Sequence, residues 1–134
     1  MKKDIDIPEV KDVFVAALFE RDADNEAVWN IYLINNKPEL IEAVMVSSKG
    51  YADLDGKDLR TAVMRHSIGN LSGKTAVVIE RIDKQVFEIY NEFWVTFFEN
   101  GRVMDRKFIF GPHTIDIRFS ETLPILAAKG ILVK

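Results

Sequence analysis

Apolar and polar positions alternate along this chain in short runs, and turn residues separate the runs. Residues 13–19 (VFVAALF) and 28–34 (VWNIYLI) are dense in β-branched and aromatic side chains, the composition of strands. In the second run Trp29, Ile31 and Leu33 fall on one face, and Val28, Asn30, Tyr32 and Ile34 on the other. Asn35, Asn36, Lys37 and Pro38 make the following turn, with Pro38 fixing its own φ. A strand over 40–47 is expected next, then a loop rich in Gly and Asp over 49–58. Further strands are expected over 59–68, 75–82 and 114–119, with a last short one over 131–133.

The clearest local signal is Asn100-Gly101 between two runs of aromatic and β-branched residues, which predicts a two-residue hairpin loop. That loop pairs Glu99 with Arg102, Phe98 with Val103, Phe97 with Met104, Trp94 with Lys107 and Phe93 with Phe108. One face then carries Phe93, Val95, Phe97, Met104 and Phe108, with Arg106 discordant opposite Val95. The other carries Trp94, Thr96, Phe98, Asp105 and Lys107.

Residues 121–129 change character. Pro124 suits a first helical turn, residues 125–128 favour helix, and Gly130 suits the position just past a helix end, so a short C-terminal helix is expected. Many short half-buried strands need a second layer to cover them. The expected architecture is all-β: a two-sheet immunoglobulin-like sandwich of about eight strands plus the C-terminal helix, with a small barrel as the alternative. At 134 residues the chain fits one domain, 1–134.

Composition narrows the class. With 48% hydrophobic and 29% charged residues the chain is globular and not disordered. The absence of cysteine excludes disulfides, thiolate metal sites and a cysteine nucleophile, and is compatible with a cytoplasmic location. The first ten residues hold two lysines but no apolar core of a secretory signal, and no apolar run reaches the ~18 residues of a membrane span. The net charge of −3 argues against nucleic acid as a partner. Residues 1–58 hold 13 acidic and 7 basic side chains, residues 59–134 hold 8 and 11, an asymmetry able to orient a partner.

Candidate chemistry is sparse. Residues 69–75 (GNLSGKT) have one residue too few between the glycines for a phosphate loop, and a strand follows where a helix is needed, so the segment reads as a turn with an exposed Lys74. The acidic stretches Asp22–Glu26 and Asp53–Asp58 cluster oxygen ligands, but neither has the spacing of a calcium loop, and both read as turns. His66 and His113 stand 47 residues apart; a catalytic role for either needs a carboxylate or serine to converge on it. No catalytic residue, metal site or cofactor is assigned. Arg60, Arg65, Arg102, Arg106 and Lys107 lie among aromatics, which suits RNA only if they form one basic face.

Residues 29–33 (WNIYL), 46–51 (VSSKGY), 91–95 (NEFWV), 107–110 (KFIF) and 123–126 (LPIL) together resemble a family of small uncharacterised β-sandwich proteins of Bacteroidetes, some of which carry the label of a phenylalanyl-tRNA synthetase α subunit. No synthetase residue carries over: the chain is too short for a class II catalytic domain and lacks its ATP-holding motifs. Residues 29–46 also resemble strand–turn–strand units of immunoglobulin-like bacterial domains, which supports the sandwich by analogy.

The leading expectation is therefore a non-enzymatic protein–protein interaction module. It would bind a protein partner, or a second copy of itself, through an aromatic sheet face or an exposed edge strand. Trp94, Phe98, Lys107, Trp29 and Tyr32 are the candidate binding residues, because Trp, Tyr and Arg dominate interface energetics and Lys107 stands opposite Trp94 as a cation–π partner. The alternative is a small-molecule or carbohydrate binder that uses Trp and Tyr as stacking platforms in a cleft.

Overall fold

A computed structural model of the chain describes residues 9–133. Ten strands follow in chain order: β1 (Val13–Arg21), β2 (Ala27–Asn35), β3 (Ile41–Leu54), β4 (Lys57–Arg60), β5 (Met64–Leu71), β6 (Thr75–Ile82), β7 (Tyr90–Glu99), β8 (Arg102–Phe110), β9 (Glu121–Thr122) and β10 (Lys129–Leu132). They form two five-stranded sheets. The first has the order β6-β2-β1-β10-β9, and the second β4-β3-β7-β8 with β5 also paired to β3. β3 is long enough to serve two partners on one side: its first part pairs with β5 and its last four residues with β4.

Alternation builds the core. Val13, Val15 and Ala17 of β1 and Ile31 and Leu33 of β2 meet Val44 and Val46 of β3 and Phe93, Val95, Phe97 and Phe108 of β7 and β8. All are buried, and each fully buried large apolar side chain contributes about 1.5–3 kcal/mol. The β7–β8 register is the one expected from Asn100-Gly101, whose residues take φ of 52° and 74°, as a hairpin turn with two left-handed residues requires. Arg106 does face inward opposite Val95. Its guanidinium lies 4.4 Å from the centroid of the Phe108 ring, which lets a cation sit at the margin of an apolar face.

Four expectations need correction. The short C-terminal helix does not form: residues 124–128 are a string of bends between β9 and β10, with Ile125 at φ +66°. A stretch this short cannot repay helix nucleation. Leu123, Leu126 and Ala128 are instead drawn over Ala16, Leu18 and Ile34 on the outer face of the first sheet. Residues 114–119 are not a strand but a turn. Asp116 accepts from the backbone N–H of Arg118, caps a single 3-10 turn over Ile117–Phe119, and leaves Ile117 and Phe119 exposed. The stretch 49–58 is not a loop, because β3 continues to Leu54 and turns tightly at Asp55-Gly56 into β4. The single strand expected over 59–68 is two, β4 and β5, joined by residues 61–63.

The turns elsewhere behave as their residues suggest. Asp22 accepts from the backbone N–H groups of Asp24 and Glu26, each at 2.9 Å, to close the β1–β2 loop. Gly73 is obligatory, since a Cβ there would stand 2.1 Å from the carbonyl oxygen of Pro38. Among the described residues no helix is long and apolar enough to cross a membrane.

Candidate functional site

The two outer sheet faces differ. That of the first sheet is partly covered by residues 123–128, which leave Val78 of β6 exposed. That of the second has no cover among the described residues and presents Met45, Tyr90, Trp94, Phe98, Val103 and Ile109 as exposed apolar side chains. Strand register sets them in rows: Ser47–Trp94–Lys107, Met45–Thr96–Asp105 and Glu42–Phe98–Val103. The next rows are Lys49–Glu92–Ile109 and Tyr51–Tyr90, the latter with rings stacked 5.4 Å apart. The Tyr51 hydroxyl is held above its ordinary pKa, first by burial and then by the charge of Glu92 and by Tyr90.

Three of the expected binding residues come together here. Trp94 is 41% exposed and Phe98 44%, four residues apart on one face of β7. The Trp94 indole N–H donates to Asp105 Oδ2 at 3.0 Å, and Lys107 Nζ stands 4.9 Å from the Trp94 ring centroid. The ring is thus fixed from two sides, and the cation contact contributes about 0.5–1 kcal/mol. A held ring loses little entropy when a partner covers it.

The other two lie elsewhere. Trp29 is only 8% exposed, in the inward row with Ile31 and Leu33, and packs against Phe19 and edge-on against Phe87. It offers no surface platform. Tyr32 is half-buried on the outer face of the first sheet, and its hydroxyl donates to Glu20 Oε2 at 2.6 Å. Burial, then that bond and the Glu20 charge, push its pKa up to about 12. The cations also spread out. Arg106 faces inward, Arg60 pairs with Asp58, and Lys107 shares its face with Asp105 and Glu92.

The sheet edges differ as sharply. β9 has two residues and β4 has four, two of them charged in addition to Lys57 and none buried. The β5 pairing to β3 shifts register twice, and β6 carries a bulge at Ile79. β8 alone is a long free edge without irregularity: nine consecutive residues pair with β7 on one side, and no described strand lies on the other.

At the far side of the sandwich a carboxylate does converge on His66, in a polar cluster whose other members, Glu80 and Ser48, the sequence did not single out. Ile31 faces Glu80 and Tyr32 faces Val78, so Ile79 is an extra residue in β6. The bulge turns Glu80 inward, where periodicity alone would point it to solvent. Glu80 Oε1 accepts from Ser48 Oγ at 2.6 Å and lies 2.8 Å from His66 Nε2. The cluster ties β6 of one sheet to β3 and β5 of the other. Beside it is a recess of 270 Å³ lined by Ser48, Thr61, Met64, Glu80, Asp83 and Asn91, among others. Ser48 Oγ faces the carboxylate and not the imidazole. The serine–histidine contact of a serine hydrolase is therefore not made in this cluster. His113 is exposed in its loop, its backbone N–H donating to Phe87 O. Comparison with known protein families, curated proteins and solved structures finds no match to this chain.

Proposed function

We propose that this chain is a protein–protein interaction module of immunoglobulin-like sandwich type and not an enzyme. Its docking surface is the free edge of β8, continuous with the uncovered aromatic face beside it. The occupant is an extended segment of a partner protein that adds a strand alongside β8 and lays its own outward side chains next to Trp94, Phe98 and Val103. One observation carries this reading. Every other sheet edge is short or irregular, whereas β8 runs nine residues without irregularity and no described strand lies on its outer side.

Strand addition supplies affinity through main-chain hydrogen bonds, and side chains at alternate positions supply specificity. Antiparallel ladders alternate, and a two-residue loop makes Glu99 and Arg102 a hydrogen-bonded pair. Counting from there, Val103, Asp105, Lys107 and Ile109 direct their backbone groups away from β7, toward the free edge. The same four side chains lie on the aromatic face, so one partner strand meets both features.

The test uses amide-resolved NMR of the full chain, titrated with a synthetic peptide of sequence RVMDRKFIF. Backbone amides of Val103, Asp105, Lys107 and Ile109 and the Trp94 indole N–H should shift and gain exchange protection. A peptide that leaves them unmoved although they exchange freely without it, or that shifts the Glu80–His66 recess instead, overturns the reading.

A further inference from the structure

We infer that the strand added to β8 is β8 of a second copy of this chain, in an antiparallel register centred on Arg106. The inference rests on the free edge being the docking surface and names its occupant. β8 is complementary to itself in charge and shape.

A two-fold axis through the edge pairs residues whose numbers have a constant sum, and outward side chains then meet outward side chains. Centring on Arg106 places Val103 opposite Ile109 of the second copy, and Asp105 opposite its Lys107. The same contacts repeat in reverse. The outward row Val-Asp-Lys-Ile is thus its own complement when reversed. Opposite charges directly across a strand pair stabilise it, and like charges oppose it. The two neighbouring registers fail this condition. Centring on Asp105 sets that carboxylate against its own copy, and centring on Lys107 sets two ammonium groups together.

The geometry within one chain is already prepared for the pair. Asp105 uses Oδ2 to hold the Trp94 indole, so Oδ1 remains to accept from the lysine of the second copy. On the inward side Met104 meets Phe108, and Arg106 meets Arg106. That like pair is unfavourable, but each guanidinium is drawn back over its own Phe108 ring at 4.4 Å. Glu9, which lines a recess against Arg106 and Asp105, adds a carboxylate nearby. Pairing consumes the long open edge of both copies, so the assembly closes at two and does not extend into a fibre.

Charge reversal in sedimentation equilibrium tests the register. The unaltered chain should form a dimer. Asp105→Lys and Lys107→Asp should each raise the dimer dissociation constant roughly tenfold or more, because each sets like charges opposite one another twice per dimer. An equimolar mixture of the two variants should restore a dimer, now of unlike chains. Because the chain has no cysteine, an introduced one reports its own position. Arg106→Cys should oxidise to a disulfide-linked dimer, its Cα atoms about 4.5 Å apart in a non-hydrogen-bonded pair. Val103→Cys, about 20 Å from its own copy at ~3.4 Å per residue, should not.

A monomeric unaltered chain overturns the inference, as does a dimer indifferent to both reversals or one that crosslinks at Val103→Cys. A monomer that still takes up the synthetic β8 peptide leaves the docking edge standing and removes only the second copy as its occupant. A monomer whose edge amides are already protected places the chain's own residues on β8, and a monomer with open amides that ignores the peptide removes both readings.

Discussion

The indole nitrogen of Trp94 lies 3.0 Å from Asp105 Oδ2 across the β7–β8 pair, on a sheet face that the described chain does not cover. Trp29 is the opposite case: its ring is enclosed by Phe19 and Phe87. The two tryptophans should therefore respond differently to truncation. Trp29→Ala should cost about 3–5 kcal/mol, the range for large aromatics removed from a core. Trp94→Ala should cost about 1 kcal/mol, since it loses a cation contact and a surface hydrogen bond. Urea unfolding of both variants checks the ranking, and equal costs would contradict the placement. In quenching by acrylamide, Trp29→Phe should retain most of the quenchable emission and Trp94→Phe little.

Tyr32 links stability to alkaline pH. Its folded pKa, about 12, lies above the ordinary value of about 10. The neutral phenol is thus favoured by folding, and that contribution is complete below pH 10. It declines as pH rises toward 12, where the unfolded chain releases a proton that the folded chain retains. The unaltered protein should lose more stability between pH 10 and 12 than Tyr32→Phe does. Parallel slopes in denaturant titrations at these pH values would refute the raised pKa of Tyr32.

The Glu80 cluster should behave as one unit. Glu80→Gln weakens the acceptor shared by Ser48 and His66 and should destabilise by about 1–3 kcal/mol. Ser48→Ala and Glu80→Gln should be non-additive by about 0.5–3 kcal/mol in a double-mutant cycle, because they share a partner. Additive costs would show that the serine hydroxyl is not engaged.

Asn35 should prove a structural anchor. It is fully buried; its Nδ2 donates to the carbonyls of Glu39, Leu71 and Ser72, and its Oδ1 accepts from Lys37 N–H. Asn35→Leu strands these backbone groups and should cost at least about 2 kcal/mol. Thermal unfolding measures it, and a neutral effect would mean the corner relaxes freely.

Much of the architecture is written locally. The Asn100-Gly101 loop sets the β7–β8 register, and the register sets which side chains share a face, because strand periodicity is two and a two-residue loop leaves no slack. Trp94, Phe98 and Lys107 could be placed together on that ground alone. Asp55-Gly56 is the same kind of signal, submerged in an acidic stretch whose polarity reads as loop. The turn at Asp116 interrupts a run with strand alternation, since a capping carboxylate competes with pairing and alternation says nothing of available partners.

What alternation cannot supply is which face another part of the chain will cover. Trp29 and Trp94 both sit at alternating strand positions, yet one faces the opposite sheet and the other faces outward, a choice made by contacts far away in sequence. Tyr32 is half-buried because residues 123–128 pack over its sheet instead of coiling into a helix. Glu80 faces inward because one bulged residue reverses its side, and only the pairing with β2 reveals that. Residue pattern thus determined the hairpin, its register and its two faces. Tertiary packing decided which face stayed open, because burial is a property of two surfaces and a sequence displays them one at a time.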